Sequence, residues 1–167
     1  MRFKQVGNKV DIVAVVVKNA EASVAIPAGS PLALELNATN DGLAVVLPAT
    51  AIANGYGGLF GVALGSIANG AYGEAQVFGF CQNVVVLSNT RAATTDSWTT
   101  RSAAVGVNLV IDTVNNVFST AGGTQAASAF IPFAILGASY TGTGAASTSN
   151  NTLTASTLLV KAFLRMM

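Results

Sequence analysis

Residues 57–80 read GGLFGVALGSIANGAYGEAQVFGF, and the rest of the chain repeats, extends or covers this stretch. Its first run, LFGVALG at 59–65, is short, apolar and closed by small residues, which suits a strand buried on both faces better than a helix. A turn should follow at 66–73, because Asn69-Gly70 accepts positive φ at both positions at little steric cost. Residues 74–80 then alternate, with Glu74, Gln76 and Phe78 on one face and Ala75, Val77 and Gly79 on the other. The stretch predicts two strands and a tight connection.

The same grammar recurs downstream. Pro132-Phe133-Ala134-Ile135-Leu136-Gly137 lines up with Leu59-Phe60-Gly61-Val62-Ala63-Leu64-Gly65, to within one residue at the end. Each is followed by a turn-rich segment, after which the first copy runs into Val77-Phe78-Gly79-Phe80 and the second into Val160-Lys161-Ala162-Phe163. Upstream, residues 28–34 precede the first copy as residues 105–111 precede the second. The expected fold is therefore all-β, an antiparallel β-sandwich or barrel built from two similar β units, about 22–87 and 102–167, in a single β domain over 21–167. Residues 1–20 form an N-terminal arm and a first strand, and the Thr-rich segment 88–101 joins the units.

Working outward, residues 10–17 are rich in β-branched side chains and read as a strand. Residues 22–26 read as another short one. The turn Pro27-Ala28-Gly29-Ser30-Pro31 delivers a strand at 32–36 with Leu32, Leu34 and Leu36 inward, and Asp41-Gly42 returns it through 43–47 as a hairpin. Residues 49–58 could hold a helical turn at 49–53, but Asn54-Gly55 and Gly57-Gly58 would end it before a stable helix could nucleate, so a loop is the expectation. A further strand is expected at 83–87. The second unit supplies strands at 105–113 and 117–120 around the turn Val114-Asn115-Asn116, a buried strand at 130–136, and a final strand within 153–165. Between those last two, 140–151 is a long stretch of Thr, Gly, Ser, Ala and Asn with little to bury.

Composition narrows the function classes. Charged residues make up 9% of the 167, against ~25% in ordinary soluble domains, while apolar residues reach 51% and mean hydropathy is +0.57. A chain with so few solubilising charges belongs in a membrane or hides much of its surface against protein partners. Residues 42–73 carry no charge, but Pro48 and the Asn-Gly and Gly-Gly pairs prevent a spanning helix, and aromatic residues at 7% are too few for the girdles of a membrane barrel. The charges at Lys9, Asp11 and Lys18 spoil a signal-peptide core. A net charge of +1 gives no broad attraction for nucleic acid, and the single cysteine, Cys81, cannot form an intrachain disulfide.

Catalytic chemistry finds little material. There is no histidine, which removes Ser-His-Asp and Cys-His catalysis, and one cysteine cannot hold zinc or an iron-sulfur cluster within one chain. The seven carboxylates fit solvated turns and strand ends. The glycines at 55–61 lack the G-x-G-x-x-G spacing and lead into a strand. The only approach to a calcium loop is Asn37-Ala38-Thr39-Asn40-Asp41. The sequence predicts no catalytic, cofactor-binding or metal site.

At Ala28-Gly29-Ser30-Pro31-Leu32, then Leu59-Phe60-Gly61-Val62-Ala63-Leu64 and Gly73-Glu74 with a strand after it, the chain resembles the capsid decoration, or cement, proteins of tailed phages. The resemblance spans most of the chain and carries no catalytic signature. It implies a β-rich structural protein on the virion exterior, made in the host cytoplasm. Such a protein is a homo-oligomer, often a trimer, that braces neighbouring copies of the major capsid protein, with no nucleic acid and no membrane among its partners. Candidate partner contacts are Arg2, Phe3 and Lys4 in the arm, Trp98 in the Thr-rich segment and Tyr140 at the start of the small-residue loop. Trp98 reads either as a plug for the domain's own core, the preferred role, or as a partner anchor. Two other readings stand beside this one: a tail or head-completion protein, and a carbohydrate-binding or adhesin-like β module stacking sugars on Tyr56, Tyr72, Trp98 and Tyr140.

Overall fold

The computed structural model describes residues 12–35, 43–53, 58–87, 89–91, 98–100, 102–112, 116–120, 134–141 and 157–165. The all-β expectation holds, and the form it takes is a barrel. Strands β1 (Val13–Asn19), β2 (Pro31–Leu34), β3 (Ala44–Val46), β4 (Leu59–Ala63) and the first half of β5 (Tyr72–Leu87) join in the order β1-β3-β2-β4-β5, and β5 returns to pair with β1. Closure leaves this sheet no edges, which is how a short-stranded sheet avoids pairing with stray chains. The pairings are not all antiparallel: β1 runs parallel to β3 at Lys18–Ala44 and Asn19–Val45.

The second half of β5 opens another circuit. Past a ribbon, β6 (Asn89–Arg91) against β7 (Trp98–Thr100), come β8 (Ser102–Ala103), β9 (Asn108–Asp112), β10 (Val117–Thr120), β11 (Ala134–Leu136), β12 (Tyr140–Thr141) and β13 (Thr157–Arg165). The order β5-β10-β9-β11-β13 closes where β13 pairs with β5 from Thr157–Leu87 to Arg165–Phe78. The first pair in this circuit, β5 with β10, is again parallel, at Phe118–Val86. Two five-stranded rings thus share one strand.

The rings repeat each other in register. Pro31 pairs with Val62 and Leu32 with Gly61, as Asn108 pairs with Ile135 and Leu109 with Ala134. Gly29 N donates to Ala63 O (2.8 Å) and Ala63 N to Ser30 O (3.0 Å); Gly106 N donates to Leu136 O (2.8 Å) and Leu136 N to Val107 O (2.8 Å). Val17–Gly73 on β1 and β5 corresponds to Val84–Val160 on β5 and β13. Even the isolated Ile26–Ile67 bridge has its counterpart in Ala103–Tyr140 on β8 and β12.

Expectation and structure differ in several places. Residues 74–80 and 83–87 form one continuous strand, β5, because its halves are staves of different rings. At about 3.3 Å per residue its 16 residues run roughly 50 Å, too long for one small barrel. It turns between rings at Gly79 (φ 94°) and at an extra residue opposite Val160–Ala162. Residues 22–26 are not a strand; only Ile26 pairs, and Val24 O accepts from the Asn19 side chain instead. Residues 48–53 are not loop but a short helix, α1 (Pro48–Ala53). Pro48 presets the first turn, and tertiary bonds compensate for the missing length. At 69–70 only Gly70 takes positive φ (70°). Leu36 and the Asp41-Gly42 turn lie outside the described residues.

Each ring has its own core. Val17, Leu32, Val45, Ala63 and Ala75 fill the first, with Ile26 and Ile67 across one end. Their counterparts Val84, Leu109, Phe118, Leu136 and Ala162 fill the second. β4 is buried on both faces, as its sequence predicts: Phe60 and Ala63 belong to the first core, Leu59 and Val62 to the second. A third small cluster, Ala33, Val46 and Ala51, seats α1 on the outside of β2 and β3.

Candidate functional site

Among the described residues a cluster of side-chain hydrogen bonds gathers at one end of the first ring, and it is occupied in holding that end. Asn19 is fully buried; its Nδ2 donates to Ile67 O (2.9 Å) and Val24 O (3.0 Å), and its Oδ1 accepts from Glu21 N (2.9 Å). The Glu21 carboxylate accepts from Leu47 N (2.7 Å) and the Thr50 hydroxyl (3.0 Å) at the start of α1, and Asn69 Nδ2 donates to Glu21 O. Asn116 Oδ1 accepts from Ala49 N (2.8 Å), tying α1 to the turn before β10. A buried polar group that lost these partners would cost about 1–3 kcal/mol. The arrangement is a structural latch, with its acceptors spent on backbone N–H groups and on the Thr50 and Asn69 side chains.

Cys81 is buried in the second core, and burial pushes its thiol up from the ordinary range, with a smaller opposing pull from an Asn83 backbone hydrogen bond. A thiol in that state is a poor nucleophile. Among the described residues no three His, Cys, Asp or Glu side chains gather where a metal could sit, and no helix is long and apolar enough to cross a membrane.

The outer faces are where large apolar groups meet solvent. Tyr72 and Leu159 occupy the same position of the two rings, beside β1 and β5 respectively, and are 66% and 61% exposed. Exposed Glu74 follows Tyr72 as exposed Lys161 follows Leu159. Where β5 changes rings, Phe163 packs edge-on against both Phe78 (5.4 Å) and Phe80 (5.2 Å), and Phe80 remains partly exposed.

No known family model matches this chain, and no curated protein is similar to it.

Of the contact residues named from sequence, Trp98 and Tyr140 fall among the described residues. Arg2, Phe3 and Lys4 lie outside the described residues. Trp98 lies on the β6–β7 ribbon opposite Arg91, a two-stranded sheet that joins neither ring. Tyr140 sits opposite Ala103, at the register position that the buried Ile67 holds in the first ring. Sequence reasoning missed Tyr72 and Leu159 as a matched pair. The signal was there only once the true frame of the last strand was known: Val160 corresponds to Gly73, not to Val77.

Proposed function

We propose that this protein is a structural virion component that decorates and braces the outer surface of a phage capsid, without catalytic activity of its own. The observation that carries the reading is the duplication. A chain that offers the same five-stranded frame twice suits a partner that presents the same surface many times, as a shell of identical subunits does, and two linked weak contacts give avidity that neither gives alone. The composition supports it: few charges and apolar side chains on outer faces suit a protein stabilised by what it touches. Partners under this reading are the major capsid protein and further copies of the chain, with Arg2 and Lys4 meeting acidic groups on the shell and Phe3 a further contact beside them. A cryo-electron-microscopy map of the source particle tests it. Density for the double ring bridging capsid subunits on the exterior, in whole-number stoichiometry, is expected; its location on the tail, or absence from the particle, overturns the reading. Deleting residues 2–8 is expected to lower capsid occupancy, read by copurification.

A further inference from the structure

One member of the latch, Asn69, carries a chemistry of its own. It is followed by Gly70, and in an Asn-Gly pair the next backbone nitrogen reaches the asparagine side chain readily, because glycine has no Cβ to hinder the approach. Asn69 and Gly70 are both exposed, in a turn closed by Ala71 N to Ala68 O (3.0 Å), and Gly70 takes the positive φ (70°) that a type II turn requires at its third residue. Both reacting groups are nevertheless committed. Gly70 N donates to Asn19 O (3.1 Å), and Asn69 Nδ2 donates to Glu21 O. The backbone around them is pinned as well: Asn19 N donates to Ala71 O (2.9 Å), and the Asn19 side chain holds Ile67 O and Val24 O.

We propose that Asn69-Gly70 is a self-modification site held shut by the latch: it reacts only when the end of the first ring opens, and its product cannot restore the bond to Glu21 O. In the step, Gly70 N gives its proton to water and attacks Asn69 Cγ. The N–Cγ bond forms, the Cγ–Nδ2 bond breaks, and the nitrogen leaves as ammonia. Water then opens the cyclic imide at either carbonyl, which gives aspartate or isoaspartate at position 69. In the fastened state Asn19 O holds the Gly70 proton. Turning that amide towards Cγ forfeits this bond and the one to Glu21 O, so attack proceeds from the locally opened form. After the step a carboxylate stands where Nδ2 donated; ionised, it only accepts hydrogen bonds, and it faces a carbonyl oxygen. The device belongs to the first ring alone: residues 102–167 contain no Asn-Gly pair, and Val86 stands where the first ring has Asn19. It is independent of any role on a capsid.

The test is incubation of the purified full-length chain at mildly alkaline pH, native and in denaturing urea, with conversion at residue 69 followed by peptide mass spectrometry and isoaspartate detection. The native rate is expected to be about 10- to 100-fold below the urea rate, since two hydrogen bonds are given up on opening. Asn19→Ala removes the side chain that pins Ile67 O and Val24 O, so the folded variant should convert about tenfold faster than wild type. A second arm needs no variant and decides the matter if Asn19→Ala does not fold: in urea below the unfolding transition, conversion at residue 69 and hydrogen exchange of the Gly70 amide should rise together. Equal native and urea rates, a folded Asn19→Ala chain as slow as wild type, or Gly70 exchange that rises without conversion overturns the proposal. Asn69→Asp tests the one-way step. Its amides at 19–24 and 67–71 should exchange faster than in wild type while those of the second ring do not change; unchanged protection at 19–24 and 67–71 overturns that step.

Discussion

The first ring and the second share strand order, strand direction and register, yet they are filled and closed by different chemistry. Where the first has Val45, Ala63 and Gly73, the second has Phe118, Leu136 and Val160. The first makes up the missing volume with Ile26 and Ile67, which lie across its end, Ile67 so close to Gly73 that a Cβ there would sit 2.6 Å from Ile67 Cγ1. The first also fastens that end with Asn19, whose counterpart in the second is the apolar Val86. The same hydrogen-bond frame therefore tolerates two packings, because a barrel interior specifies total volume more strictly than which strand supplies it.

The comparison breaks most sharply at Phe118. Phe118→Ala is expected to cost about 3–5 kcal/mol of stability, whereas Val45→Ala at the matching position should cost about 1–2 kcal/mol, read from urea denaturation. Equal losses would mean the two cores are not independent. The turn glycines come next. Gly29→Ala and Gly106→Ala both pay about 1–2 kcal/mol for a left-handed backbone, and Gly29→Ala alone adds a collision with Asn83 O, so it should be the worse of the two. A milder Gly29 variant would remove the argument that this turn is pressed against β5.

Asn19→Ala is expected to cost about 1–3 kcal/mol, because it strips Val24 O and Glu21 N of these partners and leaves Ile67 O with Ile26 N alone. Hydrogen exchange should show the loss confined to the first ring's end; uniform loosening would contradict the latch. Gly73→Ala should be partly rescued by Ile67→Ala in a double-mutant cycle, since the three atoms nearest the added Cβ all belong to that side chain beyond its own Cβ. The smallest effect concerns Cys81. Its raised pKa means that the folded state holds the thiol proton longer than the unfolded chain does. Stability should therefore fall as pH rises above the unfolded value of about 8.5 toward the folded one, and Cys81→Ala should flatten that slope between pH 8 and 9.5.

Much of this was legible in the residues. Aligning 132–137 with 59–65, and 105–111 with 28–34, gives the same frame that the backbone pairings follow, because strand-ending glycines and alternating apolar side chains encode register directly. The last strand was read out of frame. Val160-Lys161-Ala162-Phe163 looks like Val77-Phe78-Gly79-Phe80, but Phe80 is the cross-strand partner of Phe163, and its true equivalents are Gly73-Glu74-Ala75-Gln76. Here two paired strands resemble each other in sequence more than the equivalent strands of the two repeats do. The α1 helix is only half legible: residues 49–53 suit a helical turn, but the turn persists through Glu21 and Asn116, which approach it from elsewhere in the chain.

By itself the sequence determined the strand class, the turns and the existence of two units, since these depend on φ preferences and on a side-chain period that neighbours in the chain carry. Only the tertiary structure decided that one strand would serve both units, which faces of β4 would go to which core, and which repeat surfaces would be covered and which left open. Those outcomes depend on contacts between residues far apart in sequence, whose energies are set by the space that remains after every other strand is placed.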